Sequence, residues 1–173
     1  MQKRLYILVL SLLIAAAVIV ANAAGRNETK IIQIAYTQLT KDAQRQVDCL
    51  AENIYHEAAY EPIDGRVAVA LVTLNRVYDP RYPNNICSVV KQRIKYTCQF
   101  SWYCESGKRV RNITAYMEAK RIALHVYANY EQLKDVTHGA LFYHADYVNP
   151  RWRGVEKTVV IGRHIFYKEK KPS

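Results

Sequence analysis

The 173-residue sequence lacks the patterns that mark common nucleic-acid-binding proteins. It has no arginine-rich tract, no zinc-finger spacing and no RNA-binding aromatic motif, although 25 basic against 15 acidic residues give a net charge of +10. Such an excess of positive charge favours an anionic partner, such as anionic lipid or a cell-wall polymer. Without a motif, only bulk charge favours nucleic acid, and no nucleic-acid partner is expected. Internal repeats and low-complexity tracts are also absent, which favours one domain with a substantial core.

Cysteine is scarce, and its spacing argues against a metal site. The four cysteines, Cys49, Cys87, Cys98 and Cys104, contain no C-x-x-C pair, so zinc is disfavoured and we expect no metal and no cofactor. An even number fits two disulfides in an oxidising compartment. Four cysteines allow three pairings, and the sequence does not choose among them.

The amino terminus has the features of a targeting segment. Lys3 and Arg4 precede 20 uncharged residues, 5–24, which end in a small-x-small triplet suited to cleavage before Ala24. The run is also about long enough to span a bilayer, with the basic flank in the cytoplasm; a buried core helix is the alternative. We predict a signal peptide or signal anchor at residues 1–24, a linker at 25–39 and one domain at 40–173. The protein is then exported, periplasmic or extracellular, either released or held in the inner membrane by residues 5–24.

A helix that stops at a proline brings two carboxylates towards the core. Its apolar residues recur at steps of three and four. Thr40 is the predicted N-cap, the helix is predicted to run to Tyr60, and Pro62 lies just beyond that end. Glu57 and Glu61 follow the same steps, and removing a carboxylate from water raises its pKa. A protonated carboxyl at the edge of a cleft can act as a general acid. The alternative is a solvated pair, with Glu61 bonded to local backbone.

The remaining segments predict an α+β protein that is mainly helical. We expect a buried helix, or less favourably a buried strand, at residues 66–77 after a turn at 63–65, a short helix at 86–91, an amphipathic helix at 113–133, and strands at 140–144 and 158–167. Asn75 inside the buried helix is expected to hydrogen-bond within the core, and Asn85 is expected to cap the short helix.

The segment from Cys98 to Cys104 combines aromatic and polar residues. Exposed aromatic rings beside amides and hydroxyls suit a sugar-binding cleft, because rings stack on pyranose faces and amides bind hydroxyls. For Phe100 a core position is expected.

Several segments between residues 48 and 167 occur together in one protein family. They are, in chain order, Glu57-Ala58 with Glu61-Pro62, Gly65–Ala70 with Leu74–Val77, Tyr82–Val90, Cys98–Trp102, Gly139–Ala145, Trp152 and Ile161–Tyr167. With these segments the chain resembles the SleB-type cell wall hydrolases, whose founding members are spore-cortex-lytic enzymes. The resemblance implies a lysozyme-like, mainly helical single domain with short β segments.

The resemblance also implies an activity. It is cleavage of the β-1,4 bond between N-acetylmuramic acid and N-acetylglucosamine in peptidoglycan, usually by lytic transglycosylation that leaves a 1,6-anhydromuramic end. Glu57 corresponds to the catalytic first glutamate of the family's Glu-Ala-Arg-Gly-Glu motif, in which this chain has Ala59-Tyr60 in place of Arg-Gly. Glu61 lies one helical turn away on the same side, poorly placed to face Glu57 across a sugar, so it is expected to have a supporting role.

Further expectations concern the substrate and the biological setting. Gln99, Ser101 and Tyr143 are candidates for binding the glycan or steadying the carboxylate. The expected partner is the peptidoglycan glycan strand, bound by a monomer. A phage lysis enzyme (endolysin), a germination enzyme and a wall-remodelling enzyme all fit.

Three alternatives remain open. A true hydrolytic lysozyme and a catalytically inactive peptidoglycan-binding or structural domain both fit the same segments. A zinc peptidase is disfavoured because His56-Glu57 opens an H-E-x-x-H pattern in which Tyr60 takes the place of the second histidine.

Overall fold

The computed structural model describes residues 25, 27, 30–105 and 109–170. The predicted leader, residues 1–24, lies outside the described residues. None of the helices that the structure describes is both long and apolar enough to cross a membrane. Contacts divide the chain into two units between Thr40 and Lys41. In the first unit, residues 30–38 form helix α1 within the segment predicted as a linker, and its linker role stays a prediction.

The second unit is mainly helical and is organised around its first helix. Its helices are α2 (Lys41–Ala58), α3 (Ile63–Tyr78), α4 (Ile86–Val90), α5 (Ser101–Cys104) and α6 (Ile113–Asn129). Helix α2 packs against α3, α4 and α6, because the predicted apolar face, including Leu50 and Ile54, is fully buried. The helix ends at Ala58, earlier than predicted, where the Glu61 N–H donates to the Ala58 carbonyl at 3.0 Å in a turn.

The buried helix and the Asn85 cap are confirmed, whereas some boundaries differ. Helix α3 already begins at Ile63, so the residues predicted as a turn form its first turn, with the Arg66 N–H donating to the Pro62 carbonyl. The Asn85 side chain accepts from the Ser88 N–H at 2.9 Å. Helix α6 ends at Asn129, short of the predicted end at residue 133.

Asn75 connects α3 to the chain that leads into the sheet. Its amide donates to Asp135, Thr137 and the Ala140 carbonyl at 3.1–3.3 Å, and its oxygen accepts from the Tyr130 hydroxyl at 2.8 Å. This confirms the predicted core role, since a part-buried amide has both of its polar atoms satisfied.

Five short strands form two antiparallel sheets in the described residues: β1 (Arg93–Ile94) with β2 (Thr97–Cys98), and β3 (Phe142–Ala145), β4 (Val155–Ile161) and β5 (His164–Glu169) in the order β3-β5-β4. The prediction of one strand at 158–167 is wrong. The chain reverses at Gly162 and Arg163, where Gly162 has a φ of +58°, so β4 and β5 form a hairpin. A positive φ is readily adopted by glycine, which explains the residue type at the turn.

The three-stranded sheet has an inner and an outer face, because side chains alternate along each strand. The inner face includes Tyr143, Phe166 and Val159, and it packs on Ala68 and Val72 of α3. The outer face includes Phe142, Tyr167 and Lys157, which are aligned across the three strands.

Two disulfides brace the helices, as predicted. Cys49–Cys87 joins α2 to α4, and Cys98–Cys104 joins β2 to the end of α5. The structure thus selects one of the three pairings that the sequence left open.

Candidate active site

Glu57 lies half-buried in the last turn of α2 and is bonded to the inner face of the sheet. The Tyr143 hydroxyl donates to Glu57 Oε2 at 3.0 Å. Burial raises the pKa of Tyr143 well above its usual value, and the Glu57 charge and hydrogen bond raise it further against the opposing charge of Arg76. The phenol therefore stays protonated and donates to Glu57. Two residues that the sequence singled out separately are in direct contact.

A buried arginine supplies positive charge beside this pair. Arg76 on α3 is only 3% exposed, and its Nε donates to the Leu141 carbonyl at 2.8 Å. Its guanidinium lies over the rings of Tyr82 and Phe100, with centroids at 5.6 and 5.3 Å, and Phe100 is buried as predicted.

Arg76 interacts electrostatically with the candidate acid. Burial lowers the pKa of Arg76, and interaction with Tyr143, Tyr82 and Glu57 offsets part of this decrease. Sequence reasoning missed this residue as a contributor to the site. The available signal was an arginine next to Asn75, at the end of a run of apolar residues in α3.

The structure connects Gln99, but not Ser101, to this network. With its amide oxygen turned towards Arg76, Gln99 accepts from both terminal guanidinium nitrogens at 3.3 Å. Ser101 is exposed at the first position of α5, and its proposed role in binding stays a prediction.

Trp102 differs from the expectation of an exposed sugar-binding ring, because it is only 8% exposed. Its indole N–H donates to Asn53 at 3.0 Å, and its ring stacks on His56 with a 4.4 Å centroid separation. The polar indole edge has a partner inside the core, so the ring is buried and supports the last turns of α2.

Glu61 holds the end of α2 to the β4–β5 turn. Its Oε2 accepts from the Arg163 N–H at 2.8 Å. A Cβ atom at Gly162 would collide with the same carboxylate oxygen and lie 3.2 Å from Pro62 Cδ, so a larger residue there would displace the carboxylate from the turn. This contact with the β4–β5 turn is the geometric basis for the supporting role that we expect of Glu61.

Replacing Gly162 with alanine is expected to lower the free energy of unfolding by about 3 kcal/mol, because left-handed backbone strain adds to the collision with Glu61. Gly154→Ala is the matched control, since Gly154 has a φ of +74° but nothing within 4 Å of an added Cβ. We expect it to cost about 1 kcal/mol. Urea denaturation measures both, and equal losses would contradict a tight Glu61–Gly162 contact.

A cavity of about 470 Å³ borders the last turn of α2. Tyr55, Tyr60, Arg109 and Arg111 line it, and the backbone N–H groups of Arg111 and Asn112 donate to the Tyr55 hydroxyl at 3.1 Å. Two arginines and an almost fully exposed Tyr60 ring give this cavity the chemistry to accept an anionic, ring-containing ligand.

A family model described as cell wall hydrolase matches residues 60–167. The chain belongs to the cell wall hydrolase family. Glu57 lies just before the matched residues, whereas Glu61, Arg76 and Tyr143 lie within them.

Individual relatives are similar over most of this chain. It is 29% identical over 126 residues to the spore cortex-lytic enzyme of Bacillus subtilis (strain 168), covering 72% of this chain and 38% of the relative. It is 30% identical over 128 residues to the spore cortex-lytic enzyme of Bacillus cereus, covering 73% of this chain and 45% of the relative. The chain therefore spans less than half the length of these relatives.

Two solved structures have a similar fold. They are the catalytic domain of the Bacillus cereus SleB protein (TM-score 0.54, 28% identity, 72% of this chain and 91% of that chain) and the catalytic domain of the germination-specific lytic transglycosylase SleB from Bacillus anthracis (TM-score 0.54, 26% identity, 76% and 98%). The predicted α+β, mainly helical, lysozyme-like fold is confirmed.

Proposed function

We propose that this cell wall hydrolase cleaves the β-1,4 bond between N-acetylmuramic acid and N-acetylglucosamine in peptidoglycan as a lytic transglycosylase, with Glu57 as its acid and base. The observation that carries the proposal is the Tyr143 hydrogen bond to Glu57 Oε2, at 3.0 Å, beside the buried charge of Arg76. Family membership and a solved relative that is described as a lytic transglycosylase support the same chemistry.

In the first step, protonated Glu57 donates its proton to the glycosidic oxygen as the bond to C1 of the muramic acid breaks. The leaving N-acetylglucosamine gains a 4-hydroxyl, and an oxocarbenium-like sugar remains. The carboxylate that forms accepts the Tyr143 hydrogen bond and interacts with the nearby positive charge of Arg76, so the residues around it stabilise the developing negative charge.

In the second step, the 6-hydroxyl of the same muramic acid attacks C1. Glu57 takes the hydroxyl proton, which restores its starting state and leaves a 1,6-anhydromuramic end. No water is consumed, and one carboxyl group serves both steps.

The position of Glu61 favours this one-carboxylate scheme over hydrolysis. A two-carboxylate glycosidase holds its second carboxyl roughly 5–9.5 Å from the first, across the scissile bond. Glu61 lies just beyond the end of α2, and its carboxylate accepts a hydrogen bond from the backbone of the β4–β5 turn, which is a structural contact.

Mass spectrometry of the soluble products of peptidoglycan digestion tests the proposal. Anhydromuropeptides are the expected products. Muropeptides with reducing ends would instead indicate a hydrolytic lysozyme, and binding without release would indicate an inactive peptidoglycan-binding domain.

Replacing Tyr143 with phenylalanine is expected to lower kcat roughly tenfold to a hundredfold, because the carboxylate loses a charge-assisted hydrogen bond. The rate of muropeptide release measures the change. Tyr147→Phe, at a side chain that is 77% exposed, is the matched control and should retain the wild-type rate. Equal rates for all three proteins would remove Tyr143 from the mechanism.

The cellular setting extends the proposal. An exported monomer, with residues 1–24 as a signal peptide or signal anchor, would act on peptidoglycan outside the cytoplasm. A phage endolysin is one biological role that fits such an enzyme.

A further inference from the structure

An aromatic cluster covers the outer face of the three-stranded sheet. The Trp152 ring lies against Phe142, His144 and Tyr167, with centroid separations of 5.6–5.8 Å. His144 stacks on Tyr167 at 5.3 Å, and its Nε2 is 3.1 Å from the Tyr167 hydroxyl. We name Trp152, Phe142, His144 and Tyr167 the outer aromatic patch. Trp152 is 42% exposed, so one part of a firmly supported ring contacts solvent.

The outer aromatic patch and Glu57 lie on opposite sides of β3. Tyr143 points to the inner face, where it bonds to Glu57 and packs on Phe166. Its neighbours Phe142 and His144 point the other way, because side chains alternate along the strand. The patch is therefore separate from the site that holds the candidate acid.

The charge around the outer aromatic patch is positive. Glu169 is paired with Arg81, and Glu156 is paired with Lys168. Four further basic residues that surround the patch make no ion pair within the described residues: Arg151, Arg153, Lys157 and Lys170.

Two of these basic residues border the exposed ring directly. Arg153 and Lys170 line a cavity of about 300 Å³ together with Trp152 and Phe142. The Lys170 N–H donates to the Gly154 carbonyl at 2.9 Å, which fixes the edge of this cavity to the end of β5. A half-exposed indole beside unpaired cations is suited to a ligand with flat apolar sugar faces and carboxylates.

We propose that the outer aromatic patch is a second binding surface for a carboxylate-bearing glycan strand, which it holds while another part of the same polymer occupies the Glu57 site. A pyranose face stacks on Trp152, and Arg153, Lys157 and Lys170 contact carboxylates of the attached peptides. This inference rests on the proposed function, since it takes its ligand class from it. The outer aromatic patch would add a second contact, which long glycan strands can make and short ones cannot.

Binding is measured first, in a full chain that carries Glu57→Gln to prevent turnover. We expect Trp152→Ala to weaken co-sedimentation with insoluble peptidoglycan about tenfold, because a stacked aromatic contact is worth about one factor of ten in affinity. Arg153→Glu should weaken it about threefold, and Lys134→Glu, the same charge reversal at an exposed lysine in the loop after α6, should leave it unchanged. Wild-type binding by both patch variants would overturn the proposal.

Turnover is measured next, with Glu57 intact, on insoluble peptidoglycan and on a short soluble glycan. Trp152→Ala and Arg153→Glu should slow cleavage of the polymer severalfold and change cleavage of the short glycan less than about twofold, since only the polymer spans both sites. Equal losses on both substrates would overturn the proposal by placing the patch in the catalytic site or in the folding core. Because Arg153 is exposed, its variant keeps the test valid if Trp152→Ala fails to fold.

Two results separate this inference from its alternatives. If the wild-type chain cleaves neither substrate, the proposed function fails, while the sedimentation assay still decides whether the patch binds the polymer. If the patch variants lose binding to vesicles of anionic phosphatidylglycerol and keep binding to peptidoglycan, the occupant is a membrane surface and the inference is wrong.

Discussion

Replacing Glu57 with glutamine is expected to lower the rate of muropeptide release by about 100- to 10,000-fold, the range by which a positioned acid or base accelerates a reaction. The amide has nearly the same size and can still accept the Tyr143 hydrogen bond, so the fold and the approach of the substrate are preserved. It cannot donate the proton that the leaving oxygen requires, and it cannot take the proton of the attacking 6-hydroxyl. Both steps of the proposed mechanism are therefore blocked. Release is quantified by chromatography of the soluble products.

Glu61→Gln is the matched control for this experiment. A glutamine oxygen can still accept from the Arg163 N–H, so the bond to the β4–β5 turn persists and activity should fall less than about fivefold. A large loss from Glu61→Gln together with a small loss from Glu57→Gln would reverse the roles assigned to the two carboxylates.

Removing the Cys49–Cys87 disulfide by a double serine substitution is expected to lower the free energy of unfolding by roughly 4 kcal/mol. The cysteines are 38 residues apart, so their bond restricts a large loop in the unfolded chain. In the folded protein it joins α2 to α4, and α2 carries Glu57. A loss of this size is a large fraction of the stability of a small domain.

The second disulfide provides an internal comparison. Cys98–Cys104 closes a loop with a separation of only six residues, for which the same entropy argument gives roughly 2 kcal/mol. Urea denaturation of the two double-serine variants compares them directly. A larger loss from the Cys98–Cys104 variant would mean that loop length is not the deciding factor in this fold.

The helical part of the fold follows from its sequence pattern. The apolar residues of α2 recur at helical spacing, so one face of this helix must be buried. The apolar residues of α3 extend nearly all round, so almost its whole surface must be buried. Asn75 could be assigned to the core because a polar group inside such a helix must find partners. The position of Glu57 followed from the same periodicity, and the resemblance to cell wall hydrolases directed attention to it.

Features that depend on contacts between distant segments could not be predicted in the same way. Residues 158–167 look like one β segment, but the chain turns at Gly162, where Glu61 approaches closely. This approach cannot be predicted from residues 158–167 alone. The burial of Trp102 depends on a partner at Asn53, and the disulfide pairing depends on how α2 and α4 pack. The place of Arg76 beside Glu57 and Tyr143 requires three elements to be assembled first.

The bond between Tyr143 and Glu57 joins residues that are 86 positions apart, and the bond between Glu61 and Arg163 spans 102 positions. During synthesis, α2 leaves the ribosome long before the last hairpin exists, and closing loops of this length is slow compared with forming a helix. A nascent or truncated chain therefore carries its candidate acid without the residues that orient it. Under the proposed function, this order of assembly delays cleavage of peptidoglycan until the carboxyl-terminal hairpin has been made and docked.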